Sequence, residues 1–208
     1  MDNQDALKTL NDIRSMMEKS SRFQAISGIA VALVGLLATV AAFVADGLFN
    51  NDTNNAFSTL YGNTDFLLAE KTKIAAIGAV LLAIVAFLTV FFGSMIHARR
   101  KKIRFEVDST MRRLLLNFFV PLLAGGILCL ALMLQGHYGL TSSIMLIFYG
   151  LALVNCHHFS HPALGVLGYI ELALGLIDCF LATHALLFWA VGFGLMHIVF
   201  GIYLIVKK

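Results

Sequence analysis

Charge is what this chain has least of. Acidic and basic residues make up 13% of its 208 residues, against about 25% in soluble domains. A surface so poor in charge excludes an ordinary water-soluble domain. Proline is also scarce, at 2 residues, so little interrupts long helices. The cysteines, Cys129, Cys156 and Cys179, show no Cys-x-x-Cys spacing. That argues against a disulfide framework, and small buried hydrophobes are the better reading. There is no Gly-x-Ser-x-Gly, no His-Glu-x-x-His, no phosphate-binding loop and no carboxylate pair beside a nucleophile. Nothing therefore marks an enzyme, and no cofactor is expected. A cleavable leader is not expected either. Residues 1–22 are polar and no small-x-small site closes the first apolar run, which should remain as an anchor.

What the chain has in abundance is apolar sequence: 59% hydrophobic residues, including 17 Phe, together with 17 Gly. Mean hydropathy is +0.85. The expected fold is all-α, an integral membrane six-helix bundle preceded by an amphipathic helix over residues 1–22. In that first helix Leu7, Leu10, Ile13 and Met17 form one stripe, with Lys8, Asp12, Glu18 and Lys19 elsewhere. It is too polar to span, and a helix packed under its own bundle is favoured over an interfacial one. The transmembrane domain is expected over 23–206, with apolar segments near 23–45, 74–96, 114–134, 142–156, 163–182 and 185–206. The fourth is short, so it must tilt, extend into its flanks or sit in thin bilayer. Pro121 is expected in the first turns of the third, where a missing N–H costs least.

Basic residues set the orientation. Lys8, Arg14, Lys19 and Arg22 precede the first segment. Arg99, Arg100, Lys101, Lys102, Arg104, Arg112 and Arg113 lie in the second connection, and Lys207 and Lys208 end the chain. With six spans, all basic residues except Lys71 and Lys73 fall on one side, which predicts that both termini are cytoplasmic. The run HARRKKIR, 97–104, is then a topology determinant touching anionic headgroups, and no nucleic-acid partner is expected. The first connection carries a sequon, Asn51-Asp52-Thr53, which matters only on a eukaryotic secretory route.

A weak internal repeat runs through the spans. Gly168 and Gly175 of the fifth match Gly28 and Gly35 of the first, and Gly126 of the third matches Gly168. Gly150-Leu151 and Gly194-Leu195 hold matching places in the fourth and sixth. Three related hairpins, 1–2, 3–4 and 5–6, are expected, running as parallel repeats. These Gly-x-x-[IL]-x-x-x-Gly patterns resemble bacterial acid-resistance membrane proteins of the HdeD type. The closing stretch LGYIELALGLIDCFLATHALLFWAVGFGLMHIVFGIYLIVKK also looks like that of small polytopic bacterial inner-membrane proteins with an amphipathic N-terminal helix. The resemblance implies six short helices. It brings no reaction, ligand or site residue.

The acids in GYIELALGLID, Glu171 and Asp178, are the conspicuous chemistry. Gly168, Glu171, Gly175 and Asp178 form one helical stripe, and Ala190, Gly194, His197 and Gly201 form another. Folded as a symmetric hairpin about Thr183 and His184, the fifth and sixth segments place Glu171 opposite His197. The same symmetry sets Gly175 opposite Phe193 and Gly194, and Gly168 opposite Val199 to Gly201. Asp178 falls near His184 and the Trp189 N–H. A bare charge at bilayer centre costs roughly 3 kcal/mol, so Glu171 is expected protonated or paired with His197. The pair is a structural clamp worth about 1 kcal/mol or a proton-sensitive switch. A second cluster, Cys156, His157, His158 and His161, has the density of a metal site, but Pro162 favours interfacial histidines at a turn. A haem would need a second deep histidine. The expected function is non-enzymatic: a structural, stress-related or partner-binding inner-membrane protein whose partners are the lipid bilayer and a second copy or another membrane protein. A proton-coupled transporter or channel subunit using Glu171 and His197 is the alternative.

Overall fold

The computed structural model describes residues 26–50, 64–100, 109–181 and 184–207. The expected amphipathic helix, the sequon at Asn51 and the second half of the basic run lie outside the described residues. Among the described residues every regular element is helical. Six helices are long and apolar enough to cross a membrane. They are α1, Gly28–Asn50; α2, Thr64–Arg100; α3, Ser109–Leu134; α4, Thr141–Cys156; α5, Ala163–Phe180; and α6, Ala185–Val206. The chain is thus an all-α, multi-pass membrane protein.

Each helix is built on a largely apolar run, and several ends follow from local chemistry. α3 stops at Gly136, whose φ of +80° only glycine adopts easily. There the His137 N–H donates to the Leu132 carbonyl at 2.9 Å and the Gly136 N–H to Met133 at 3.1 Å, the paired bonds of a Schellman motif. The short fourth segment reaches spanning length through a 3-10 turn, His157–Phe159, giving a 19-residue span. α2 is 37 residues long, about 55 Å at 1.5 Å per residue, and its apolar window is Ala76–Arg100. Its first turns therefore project beyond the hydrocarbon. Pro121 corrects one expectation. Because α3 begins at Ser109, this proline sits in the helix interior. It cannot supply the N–H that the Asn117 carbonyl would otherwise receive.

The hairpin expected between α5 and α6 is the larger correction. The glycine faces of these two helices turn away from each other. α5 packs most extensively on α4, and α6 on α1. A Cβ added at Gly168 would meet the Gly150 carbonyl oxygen at 2.8 Å, and one at Gly175 would meet the Ser143 carbonyl at 2.9 Å. Across the other pair, a Cβ at Gly28 would meet the Gly201 carbonyl at 2.6 Å, and one at Gly35 the Gly194 carbonyl at 2.7 Å. So Gly168 and Gly175 face α4, while Gly194 and Gly201 face α1. Without a hydrophobic drive between helices in lipid, this backbone approach is what glycine faces gain, and each face seeks the neighbour that can match it.

Two groups result, α3–α4–α5 and α2–α1–α6, with sparser contact between α5 and α6. Their seam is closed at one end by a core of Val31, Leu153, Cys156, Leu164, Leu167 and Phe200. At that same end the Ser27 N–H donates to Ser94 Oγ at 3.3 Å, tying the start of α1 to the last turns of α2. His161, in the α4–α5 turn, feels Lys207 of the C-terminal end. Burial first, and then that ammonium, hold its pKa below the ordinary 6.5. The α4–α5 turn and the C-terminus thus share one face of the bundle.

These contacts predict which glycines tolerate bulk. Gly150→Val drives a side chain into the Gly168 carbonyl, expected to cost about 1–3 kcal/mol. Gly126→Ala, where a Cβ meets nothing within 4 Å, should leave the thermal midpoint unchanged or slightly raised. Thermal unfolding in detergent, followed by far-UV circular dichroism, checks both.

Candidate functional site

The other half of the seam is polar. Its centre is His197, which is 5% exposed. Both ring nitrogens are engaged. Nε2 lies 2.6 Å from the Tyr149 hydroxyl of α4. Nδ1 lies 3.0 Å from the carbonyl oxygen of Gly192, five residues back on α6. A carbonyl only accepts, so Nδ1 carries the proton. In a neutral ring Tyr149 then donates its hydroxyl hydrogen to Nε2. The rings of Tyr149, Phe193 and His197 pack together, with centroids 5.1 Å apart for Tyr149–Phe193 and 5.4 Å for Tyr149–His197.

The backbone of α6 makes this possible. Over Ala190–Met196 it is a π-helix, the wide turn that recurs at functional sites. The backbone N–H of His197 donates to the Gly194 carbonyl. The Gly192 carbonyl therefore does not take that N–H, and takes the His197 side chain instead. Gly192 is also where α6 admits its neighbours. A Cβ there would fall 2.5 Å from Glu171 Oε2 and 2.5 Å from the Leu146 side chain.

Glu171 of α5 is fully buried at 0% exposure. Its Oε1 lies 3.6 Å from His197 Nδ1, too far for a hydrogen bond. Neither carboxylate oxygen has a hydrogen-bond partner. The structure thus brings Glu171 and His197 together without joining them, because Gly192 holds the proton between them. Asp178, two turns along α5, is buried to the same extent. Its Oδ2 accepts a hydrogen bond from Ser143 of α4 at 2.9 Å, and its Oδ1 has no partner. The neighbouring Ser142 donates to the Ala185 carbonyl at 2.8 Å, pinning the start of α4 to the start of α6.

The expected secondary cluster of Asp178, His184 and Trp189 takes another form. Asp178 is hydrogen-bonded to Ser143 of α4. His184 is exposed, and Trp189 packs on Phe193 with centroids 5.2 Å apart. Of the candidate metal ligands, His157 and His158 pack ring on ring with centroids 3.9 Å apart, and Cys156 and His161 do not complete a set with them. No group of three or more His, Cys, Asp or Glu able to hold a metal occurs among the described residues. The Cys156 thiol donates to the Leu153 carbonyl at 3.5 Å, the His157 ring packs over Gly165, and His161 Nδ1 accepts from the Ala163 N–H at 3.2 Å. The helix that would align His157 with His161 ends at Ser160, whose backbone leaves the helical region.

Tyr149, Ser142, Ser143 and the Gly192 carbonyl were not singled out in the sequence. The two serines opening an apolar segment were a usable signal, whereas Tyr149 and the π-turn gave none.

No family model, no curated protein sequence and no solved structure matches this chain.

The network predicts that Tyr149→Phe strands His197 Nε2 in a dry setting, at an expected cost of about 1–3 kcal/mol. Tyr203→Phe, at a residue 38% exposed whose hydroxyl accepts from the exposed Lys207 ammonium at 2.6 Å, should stay within about 0.5 kcal/mol. Thermal unfolding of the two variants side by side checks the difference.

Proposed function

We propose that this chain is a non-enzymatic, multi-pass protein of the bacterial inner membrane, with both termini cytoplasmic, acting as a structural or partner-binding component. The carrying observation is the closure of its central acid. Glu171 is at 0% exposure, walled by Leu146 and Gly192, which suits a packed polar clamp better than a substrate passage. Support for a docking role comes from α2, on whose apolar stretch Ala76–Arg100 only Ser94 and Ala98, near its end, are buried. That face is available to lipid, a second copy or another membrane protein. Support for the orientation comes from the basic residues Arg99, Arg100, Arg112 and Arg113, which lie at the same end as Lys207. A stress-related role rests on the resemblance to acid-resistance membrane proteins.

Matched contacts support reading the hairpins as related units. Gly28 and Gly35 meet α6 as Gly168 and Gly175 meet α4. A Cβ at Gly201 meets Ala32 N at 2.6 Å, as one at Gly150 meets Leu172 N at 2.8 Å. On these contacts Gly150 corresponds to Gly201, one heptad beyond the sequence match to Gly194.

One observation favours the alternative of a proton-coupled transporter or channel subunit: the unpartnered Glu171 carboxyl beside an imidazole. Pyranine-loaded proteoliposomes separate the two. The structural reading expects proton flux equal to that of protein-free vesicles under an imposed potential. A flux that Glu171→Gln removes would establish transport.

A further inference from the structure

The seam is polar over half its depth and apolar over the other half. Inward from the α5–α6 turn it holds Asp178, Ser143, Glu171, His197 and Tyr149. Asp178 and Glu171 lie about 10 Å apart along α5. Each is fully buried, and each keeps carboxylate oxygen without a hydrogen-bond partner. Such groups are expensive in a membrane interior and persist where they have a task. Past His197 and Tyr149 the seam closes on Leu153, Leu164, Leu167 and Phe200. That plug is about 10 Å deep, the rise of the seven residues from Glu171 back to Leu164. Of the other buried polar side chains among the described residues, Ser142 lies at the turn end, and Ser27, Ser94 and Ser160 lie beyond the plug at the opposite end.

We propose that Glu171 is a proton-binding site loaded only from the α5–α6 turn side, a one-ended port, and that its occupancy sets the state of the π-turn in α6 through His197. This goes beyond the structural or partner-binding role and holds whether or not a partner docks. The His197 Nδ1 proton faces two acceptors, the Gly192 carbonyl at 3.0 Å and Glu171 Oε1 at 3.6 Å. One proton serves one of them well. With Glu171 protonated, the carbonyl keeps it and the wide turn stands. With Glu171 ionised, the carboxylate is the stronger acceptor. The imidazole then swings about half an ångström's reach toward it, and Gly192 loses the partner that holds the turn open. A proton from the aqueous phase at the turn reverses the exchange, passing by way of Asp178 and Ser143.

The titratable groups facing Glu171 are few. α6 presents His197. α4 presents Tyr149, with Cys156 in the plug behind it. α5 itself adds Asp178. The described part of α1 carries a single acid, Asp46, near its end on the turn side. Among the described residues, two groups able to exchange a proton with Glu171 therefore lie inward of it, and neither continues to the far face.

The chain supplies its own reporter. Trp189 is its one tryptophan. It directly precedes the π-turn and packs on Phe193, whose ring centroid lies 6.1 Å from that of His197. In sealed vesicles of uniform orientation, pH is varied on one side at a time while Trp189 emission is read. Emission is expected to titrate with pH on the side opposite Lys207 and to ignore pH on the Lys207 side. Glu171→Gln is expected to abolish the titration. Asp178→Asn, a test that keeps Glu171, is expected to slow the response to a pH jump while leaving its end points in place. A response from both sides, from the Lys207 side alone, or from neither would overturn the one-ended port. A titration that survives intact in Glu171→Gln would overturn the assignment to that residue.

Discussion

The fold depends on backbone touching backbone. Lipid tails are as apolar as leucine, so membrane helices gain little by hiding apolar side chains from one another. They gain from close approach, and here glycine permits it along two lines, α4 against α5 and α1 against α6. Carbonyl oxygens of one helix lie where a Cβ of the other would be. These two contacts fix which faces of α5 and α6 remain for the seam between them. Glu171 and His197 are then confined to those leftover faces.

That confinement explains the site. α5 uses Gly168 and Gly175 against α4, and the adjacent stripe carries Glu171 and Asp178 into the seam. α6 uses Gly194 and Gly201 against α1, and its seam face carries Gly192 and His197. The wide turn over Ala190–Met196 places the Gly192 carbonyl under the His197 ring. The carbonyl thereby takes the proton that Glu171 would otherwise receive. An uncompensated buried carboxyl is costly, so the arrangement is poised. The stable contacts sit in the two glycine pairs, while the seam holds an interaction left unmade by a fraction of an ångström.

Much of the fold was legible in the sequence because length and hydropathy determine spans. All six helices begin or end within a few residues of the apolar runs, apart from the polar first turns of α2. The depth match of Glu171 and His197 was legible too, since rise per residue sets depth whatever way a helix is rotated. Rotation was not legible. The symmetric hairpin set Gly175 against Gly194, whereas the structure sets Gly175 against Ser143 and Gly194 against Thr39. Glycine stripes announce that a close neighbour exists without saying which one. Pro121 misled for a related reason. The helix that contains it begins in polar sequence, at Ser109, before the apolar run. The π-turn has no period of its own in seven residues, and Tyr149 looked like one more aromatic in an apolar segment.

The pairing of the glycine faces is the claim on which site and seam both rest, and disulfide trapping tests it directly. In a background lacking the native cysteines, Leu153→Cys with Gly168→Cys joins α4 to α5, where the Cβ positions are 2.9 Å apart. Gly28→Cys with Leu204→Cys joins α1 to α6, at 3.0 Å. Both distances are shorter than the usual disulfide range of about 3.5–4.5 Å, so each bridge forms once the two helices part slightly. Both pairs are expected to cross-link rapidly in membranes under mild oxidation, and Gly168→Cys with Gly201→Cys is expected not to. Rapid cross-linking of that last pair, with the other two inert, would mean that α5 and α6 face each other through their glycines, and would contradict the account.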